Sequence, residues 1–203
     1  MVAIPTSLLL EAWEQGRGAS PGERGLLLLT VAQGDVPAAV LAGWTVGQRD
    51  AALLALREQL LGSQVAALVD CPRCGEPLEV EFPVAALAGA AEASGGPLAL
   101  ESDGYRLLYR LPTAGDLAAL GRQGGPAPAR WLLERCVLQI DRPPGAAGEA
   151  QAAPARPSTA DVPEHLFRAL EAALPEAVAA ADPVAEIELA LACPACGAQW
   201  QTP

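Results

Sequence analysis

The pentapeptide CPRCG at residues 71–75 returns as CPACG at residues 193–197, and the two copies together take four of the five cysteines in the chain. No other feature constrains the fold as strongly. Two thiolates three positions apart can chelate one ion from a tight turn. Proline after the first cysteine fixes that turn, and glycine after the second supplies the positive φ that leads the chain back out. One such knuckle offers two ligands, whereas a structural zinc takes four in a tetrahedron. The single histidine, His165, lies near neither motif. The pattern therefore predicts that Cys71, Cys74, Cys193 and Cys196 meet at one structural Zn2+ ion. Pairs that share a zinc usually stand about 15–20 residues apart, and here more than a hundred residues intervene. The interval reads as an insertion inside a split ribbon. Closure cost grows only logarithmically with loop length, and zinc binding at about 10–16 kcal/mol exceeds it.

Other uses of paired thiols fit the surroundings less well. A thioredoxin-like CxxC sits at a helix N-terminus after a strand, which neither copy resembles. Two separate disulfides need an oxidising compartment. A catalytic zinc needs an open position and commonly histidine or carboxylate ligands. Asp70 and Glu76 flank the first knuckle and read as surface residues.

Each knuckle is entered from and left into a segment of two-residue period. QVAALVD runs into Cys71, and in PLEVEF the residues Leu78, Val80 and Phe82 share one face while Glu79 and Glu81 share the other. Before the second knuckle, Ile187, Leu189 and Leu191 alternate with Glu186 and Glu188. That alternation marks half-buried strands. The preceding third of the chain is helical instead. SPGE at residues 20–23 and TVGQ at residues 45–48 are capping boxes, with Ser20 and Thr45 as caps and Glu23 and Gln48 reaching back. The second opens RDAALLALREQLLG, with Leu53, Leu56 and Leu60 at helical spacing until Gly62 stops it.

Between the knuckles, LALESDGYRLLYRL predicts a hairpin turning at Asp103-Gly104. TAGD caps a short helix, and PARWLLERCVLQI reads as another, with Leu132, Leu133, Cys136, Val137 and Ile140 on one stripe. RPPGAAGEAQAAPARP contains nothing that could anchor a core and reads as a flexible linker. The expected fold class is α+β, in five parts. These are an N-terminal helical region at 1–63, a split zinc ribbon at 64–83 and 184–203, an inserted hairpin with helices at 84–141, a Pro/Ala/Gly linker at 142–160, and a C-terminal helix at 161–183.

Charge narrows the function. With 24 acids against 13 bases the net charge is −11, the wrong sign for neutralising a phosphate backbone. The glutamates of the ribbon strands would face solvent where a nucleic-acid ribbon carries Lys or Arg. Apolar runs such as GLLLLTVA at residues 25–32 fall short of the roughly 20 residues a membrane span needs. The first residues lack the basic n-region of a signal peptide, so a cytoplasmic protein without membrane insertion is expected. No Ser/His/Asp set, GxGxxG or GxxxxGK[ST] stands in the sequence. The expectation is a protein that is not an enzyme and takes no small-molecule substrate. Cys136 reads as a buried core thiol, His165 as part of a solvated helical face, and Trp13, Trp44 and Trp131 as core or docking anchors. Trp200 is expected to pack over the knuckle strands. Trp44, Arg49 and Arg57 combine the residue types enriched at binding hot spots and form the expected partner-binding surface.

The order of segments also carries a resemblance. GQRDAALLALREQLLG leads into VDCPRCGEPLEVEF, followed by YRLPTAGDL, LLERCVLQI and DPVAEIELALACPACGAQW. Over residues 40–200 this resembles the phage T4-type base plate protein family, small proteins tied to base plate hub assembly in contractile tails and phage-tail-like contractile injection systems. RLPTAGDL and the closing CPACGAQW are its more specific parts. Many members of the family continue past the second knuckle with more helix, where this sequence stops at Pro203. The resemblance implies a structural or assembly (chaperone-like) role, base plate or hub proteins as partners, and the four knuckle cysteines as zinc ligands. The protein would work in the cytosol during assembly or become part of the particle. A rival expectation is a zinc-ribbon regulator or adaptor acting through protein–protein contacts.

Overall fold

A computed structural model describes residues 4–87, 96–122, 128–141 and 163–202. The predicted linker at 142–160 lies outside them. The described residues are a mixture of seven helices and small antiparallel sheets, arranged around three apolar clusters.

The first cluster is helical. It is built from α2 (Pro21–Ala32), the single turn α3 (Ala38–Leu41) and α4 (Val46–Leu61), with α1 (Thr6–Gly16) packed on α2. Both capping boxes are present: the Ser20 side chain accepts from the Glu23 N–H, and the Thr45 side chain accepts from the Gln48 N–H. Each satisfies two orphan donors, which fixes where the helices begin. Leu29 and Leu41 are fully buried here, with Trp44, Leu26 and Leu53 packed around them. The third buried member, Ala114, belongs to α5 (Ala114–Leu120), a helix from between the knuckles. Backbone bonds hold α5 in place: the Ala114 N–H donates to Trp44 O and the Gly115 N–H to Ala42 O, both at 2.9 Å.

The second cluster is a three-stranded antiparallel sheet with two helices on it. The hairpin β3 (Leu98–Ser102) and β4 (Tyr105–Tyr109) turns at Asp103 and Gly104, whose φ values of 51° and 78° are those of a type I′ turn. The third strand corrects the sequence reading. PARWLLERCVLQI is not one helix: α6 (Pro128–Cys136) ends at Cys136, and β5 (Val137–Asp141) pairs with β4. Leu132, Leu133 and Cys136 keep the helical stripe. Val137 and Ile140 sit in the strand, where β-branched side chains pack well and β4 offers a free edge. Leu107, Tyr109, Leu133 and Val137 pack against Leu166, Phe167 and Leu170 of α7 (Glu164–Ala181). His165 departs from expectation as well. Its Nε2 is buried and its ring stands edge-on to Tyr105 at 5.4 Å, because the first turn of α7 lies on the sheet.

Long-range contacts hold the units together. Asp182, 2% exposed, directs a carboxylate oxygen at the Gly47 N–H at 2.8 Å, so residue 182 caps the start of α4. A Cβ on Gly47 would fall 2.1 Å from Asp182 Oδ1 and 3.0 Å from the Ala185 backbone nitrogen. Two effects therefore oppose each other in Gly47→Ala. Alanine gains about 1 kcal/mol of helix propensity, whereas overpacking costs about 1–3 kcal/mol and the expelled carboxylate leaves a buried N–H unpaired. The clash wins. We expect a lower thermal midpoint for Gly47→Ala, a similar loss for Asp182→Ala, and a double variant well short of additive in a double-mutant cycle.

Candidate metal centre

The knuckles lie at the tips of two hairpins. In the first, β1 (Gln64–Asp70) pairs with β2 (Pro77–Pro83) from Gln64↔Pro83 to Asp70↔Pro77. In the second, β6 (Leu189–Ala192) pairs with β7 (Gln199–Thr202). The alternation seen in sequence sets their faces. Leu78, Val80 and Phe82 turn inward from β2, and Leu189 and Leu191 turn inward from β6. Glu79, Glu81, Glu186 and Glu188 are exposed.

Both tips have the same backbone. The Cys71 N–H donates to Glu76 O and the Gly75 N–H to Cys71 O; in the second copy the Cys193 N–H donates to Ala198 O and the Gly197 N–H to Cys193 O. Gly75 and Gly197 have φ of 74° and 69°, a left-handed conformation that disfavours any side chain. The repeated pentapeptide thus encodes one repeated turn.

The two turns face each other. Cys71 Sγ lies 3.8 Å from Cys196 Sγ and Cys74 Sγ lies 3.6 Å from Cys193 Sγ. All four sulfurs are within 4.8 Å of one another. The residues predicted to share a site are therefore brought together, close enough to hold one metal ion. Cys71 and Cys193 are buried, Cys196 is half-buried and Cys74 is exposed. Leu78, Val80, Ala198 and Trp200 surround the sulfurs, Trp200 in its expected place.

The electrostatics favour one anionic sulfur at the centre and oppose more. Burial opposes ionisation of Cys71, but the backbone N–H groups of Cys74 and Arg73 and the neighbouring thiols hold its pKa down at about 7. The Glu76 N–H favours the Cys74 thiolate, yet the adjacent thiols and burial push that group up to about 12. The Ala198 N–H likewise favours the Cys196 thiolate, yet burial and the thiols of Cys193 and Cys71 raise that group. Four adjoining thiols resist sharing several negative charges unless a cation compensates them.

The fifth cysteine takes no part. Cys136 is fully buried at the end of α6, and burial raises its thiol to about 11. The residues expected to bind a partner lie elsewhere and are engaged within the chain. Trp44 packs on the first cluster. Arg49 pairs with Asp50 at 2.7 Å. Arg57 donates to the carbonyls of Gly62 and Gln64 at 2.8 and 2.7 Å, closing the end of α4.

One structural site was not read from sequence. Asp116, 1% exposed, accepts from Arg110, from Arg135 Nε at 2.7 Å, and from the Thr113 N–H and hydroxyl at 3.0 Å. Only its role in the TAGD cap was legible, since the arginines come from other elements. No helix of the described residues is long and apolar enough to cross a membrane. Compared with known proteins, the chain matches no family model, no curated protein and no solved structure.

Proposed function

We propose that the chain is a non-enzymatic assembly protein whose four knuckle cysteines hold one structural zinc as a split ribbon, and that it serves the base plate of a contractile tail. The sulfur geometry carries the zinc reading. Four thiolates at a Zn–S length of about 2.3 Å span a tetrahedron with an edge of about 3.8 Å, against cross-knuckle distances of 3.8 and 3.6 Å. An all-thiolate tetrahedral set selects zinc or an iron–sulfur centre. A closed four-ligand shell leaves no position for a substrate, which favours structure over catalysis.

The assembly reading rests on the order of motifs from GQRDAALLALREQLLG to CPACGAQW. The exposed glutamates on the ribbon strands support a protein partner over nucleic acid. Metal analysis of protein purified without added metal should return one zinc per chain. A metal-free protein with two disulfides would end the zinc reading, and an iron–sulfur absorption spectrum would replace it. For the role in assembly, a tagged full chain should co-purify with base plate or hub subunits from producing cells. Tight, salt-sensitive binding to duplex DNA would overturn that role.

A further inference from the structure

The amphipathic face of α1 is only partly used. Leu9, Ala12 and Gly16 turn toward α2, but Leu10 and Trp13 remain 54% and 62% exposed, and Leu28 of α2 is 40% exposed beside them. Leu10, Trp13 and Arg17 follow one another at i, i+3 and i+7, the spacing of a single helical stripe. Between the helices runs a groove of about 240 Å³ with Leu9, Ala12, Trp13 and Leu28 on its floor and Arg17 and Arg24 at its rim. The Arg17 guanidinium stands over the Trp13 ring at 5.4 Å.

The charge at the rim indicates what would fill the groove. Arg49, Arg110, Arg122, Arg130, Arg135 and Arg168 each have a carboxylate partner. Among the described residues Arg17 and Arg24 at the groove have none, as is also true of Arg57, Arg73 and Arg106 elsewhere: Arg24 Nε donates to Ala19 O, and Arg17 stacks on Trp13. By helical geometry Glu11 lies off the Leu10–Trp13–Arg17 stripe and Glu14 shares it at i+4 from Leu10, but the groove itself is lined by Arg17 and Arg24 and by neither glutamate. A chain with a net charge of −11 thus leaves two cations unpaired beside an exposed tryptophan. Tryptophan and arginine are the residue types that dominate binding energy at interfaces.

We infer that the groove between α1 and α2 is the docking site for an amphipathic helix of another protein, one with an apolar stripe flanked by acidic residues. The stripe would lie along Leu10 and Trp13 with an apolar anchor in the groove, and its carboxylates would meet Arg17 and Arg24. The inference gives the partner of the assembly reading a surface. It rests on that reading only in requiring a protein partner, and it would hold for a partner from any assembly. A surface at Trp44 and Arg49 would have to draw on a packed ring and an existing ion pair, whereas Arg17 and Arg24 face only a ring and a backbone carbonyl.

The test uses the full metal-loaded chain and a displayed library of random helical peptides. Selection should enrich peptides with apolar residues at i, i+3 or i+4 and i+7 and with flanking Glu or Asp. Trp13→Ala should weaken the best of them at least tenfold. Arg17→Ala with Arg24→Ala should weaken it similarly and flatten its salt dependence. Leu10→Glu, a second variant at an exposed position, should weaken acidic peptides further by repulsion. Thermal midpoint and metal content should not change in any of these. Enrichment of basic peptides, binders indifferent to Trp13 and Leu10, or no binders at all would overturn the inference. So would a dimer in sedimentation equilibrium that dissociates on Trp13→Ala, since a second copy would then fill the groove. No base plate component enters the experiment, so its outcome is separate from that of the co-purification.

Discussion

Replacing Cys193 with Ser should abolish metal binding and open the ribbon while the other two clusters stay folded. Three remaining thiolates no longer close a tetrahedral shell, and the affinity at stake is that of a structural zinc site, about 10–16 kcal/mol. Little else joins the hairpins there. Their shared cluster has only Cys71, Leu78 and Cys193 buried, and a two-stranded hairpin alone is marginal in water. The clusters around Leu29 and Leu107 contain no metal-site cysteine. Hydrogen exchange should therefore show β1, β2, β6 and β7 losing protection while α2 and β4 keep theirs. Cys136→Ala, in contrast, should retain its metal. An unchanged exchange pattern and thermal midpoint for Cys193→Ser would exclude a shared site.

Asp116→Asn should be the most damaging change outside the metal centre. Burial disfavours the Asp116 carboxylate, but Arg110 and Arg135 more than offset this and hold its pKa down at about 2. An amide of the same shape leaves two guanidinium groups facing a neutral partner, and breaking a buried ion pair costs about 3–5 kcal/mol. Acid unfolding supplies a second measurement. A depressed folded-state pKa contributes stability that is complete above the ordinary aspartate value near 4. That contribution is lost as pH falls through about 2. The window corresponds to about 2 kcal/mol at about 1.4 kcal/mol per pH unit. Any metal held by the four cysteines would be lost at low pH from parent and variant alike, so the difference between their curves isolates Asp116. The parent should lose about 2 kcal/mol more than Asp116→Asn between pH 4 and pH 2. Parallel curves would show that the network contributes nothing through charge.

What could be read in sequence was local chemistry. Ser20 with Glu23 and Thr45 with Gln48 announce helix starts because both partners of each cap lie within one turn. Asp103-Gly104 announces its hairpin because only such residues adopt two positive φ values cheaply. The four cysteines were legible because repetition of a whole turn points to a shared ligand. The rest depends on neighbours distant in sequence. Val137 and Ile140 continue the helical stripe of Leu133 and Cys136, and only the open edge of β4 makes them a strand. Asp182 looks like a loop residue until Gly47 is placed beside it. Trp13 sits on an amphipathic helix whose period locates the apolar face without telling whether this chain or another covers it.

The sequence distance between the knuckles also bears on how the protein is made. Cys74 and Cys193 are 119 residues apart. At a synthesis rate of about 5–20 residues per second, roughly 6–24 s pass on the ribosome between the appearance of one and the other. The first hairpin is local, with β1 and β2 adjacent in the chain, but it is marginal alone, so during that interval Cys71 and Cys74 are carried by a hairpin that lacks its stabilising partner. Asp182, which caps α4, also emerges late, 135 residues after Gly47. The nascent chain thus waits with half of the cysteine cluster and with the Gly47 N–H of α4 still without Asp182, and its last quarter completes both.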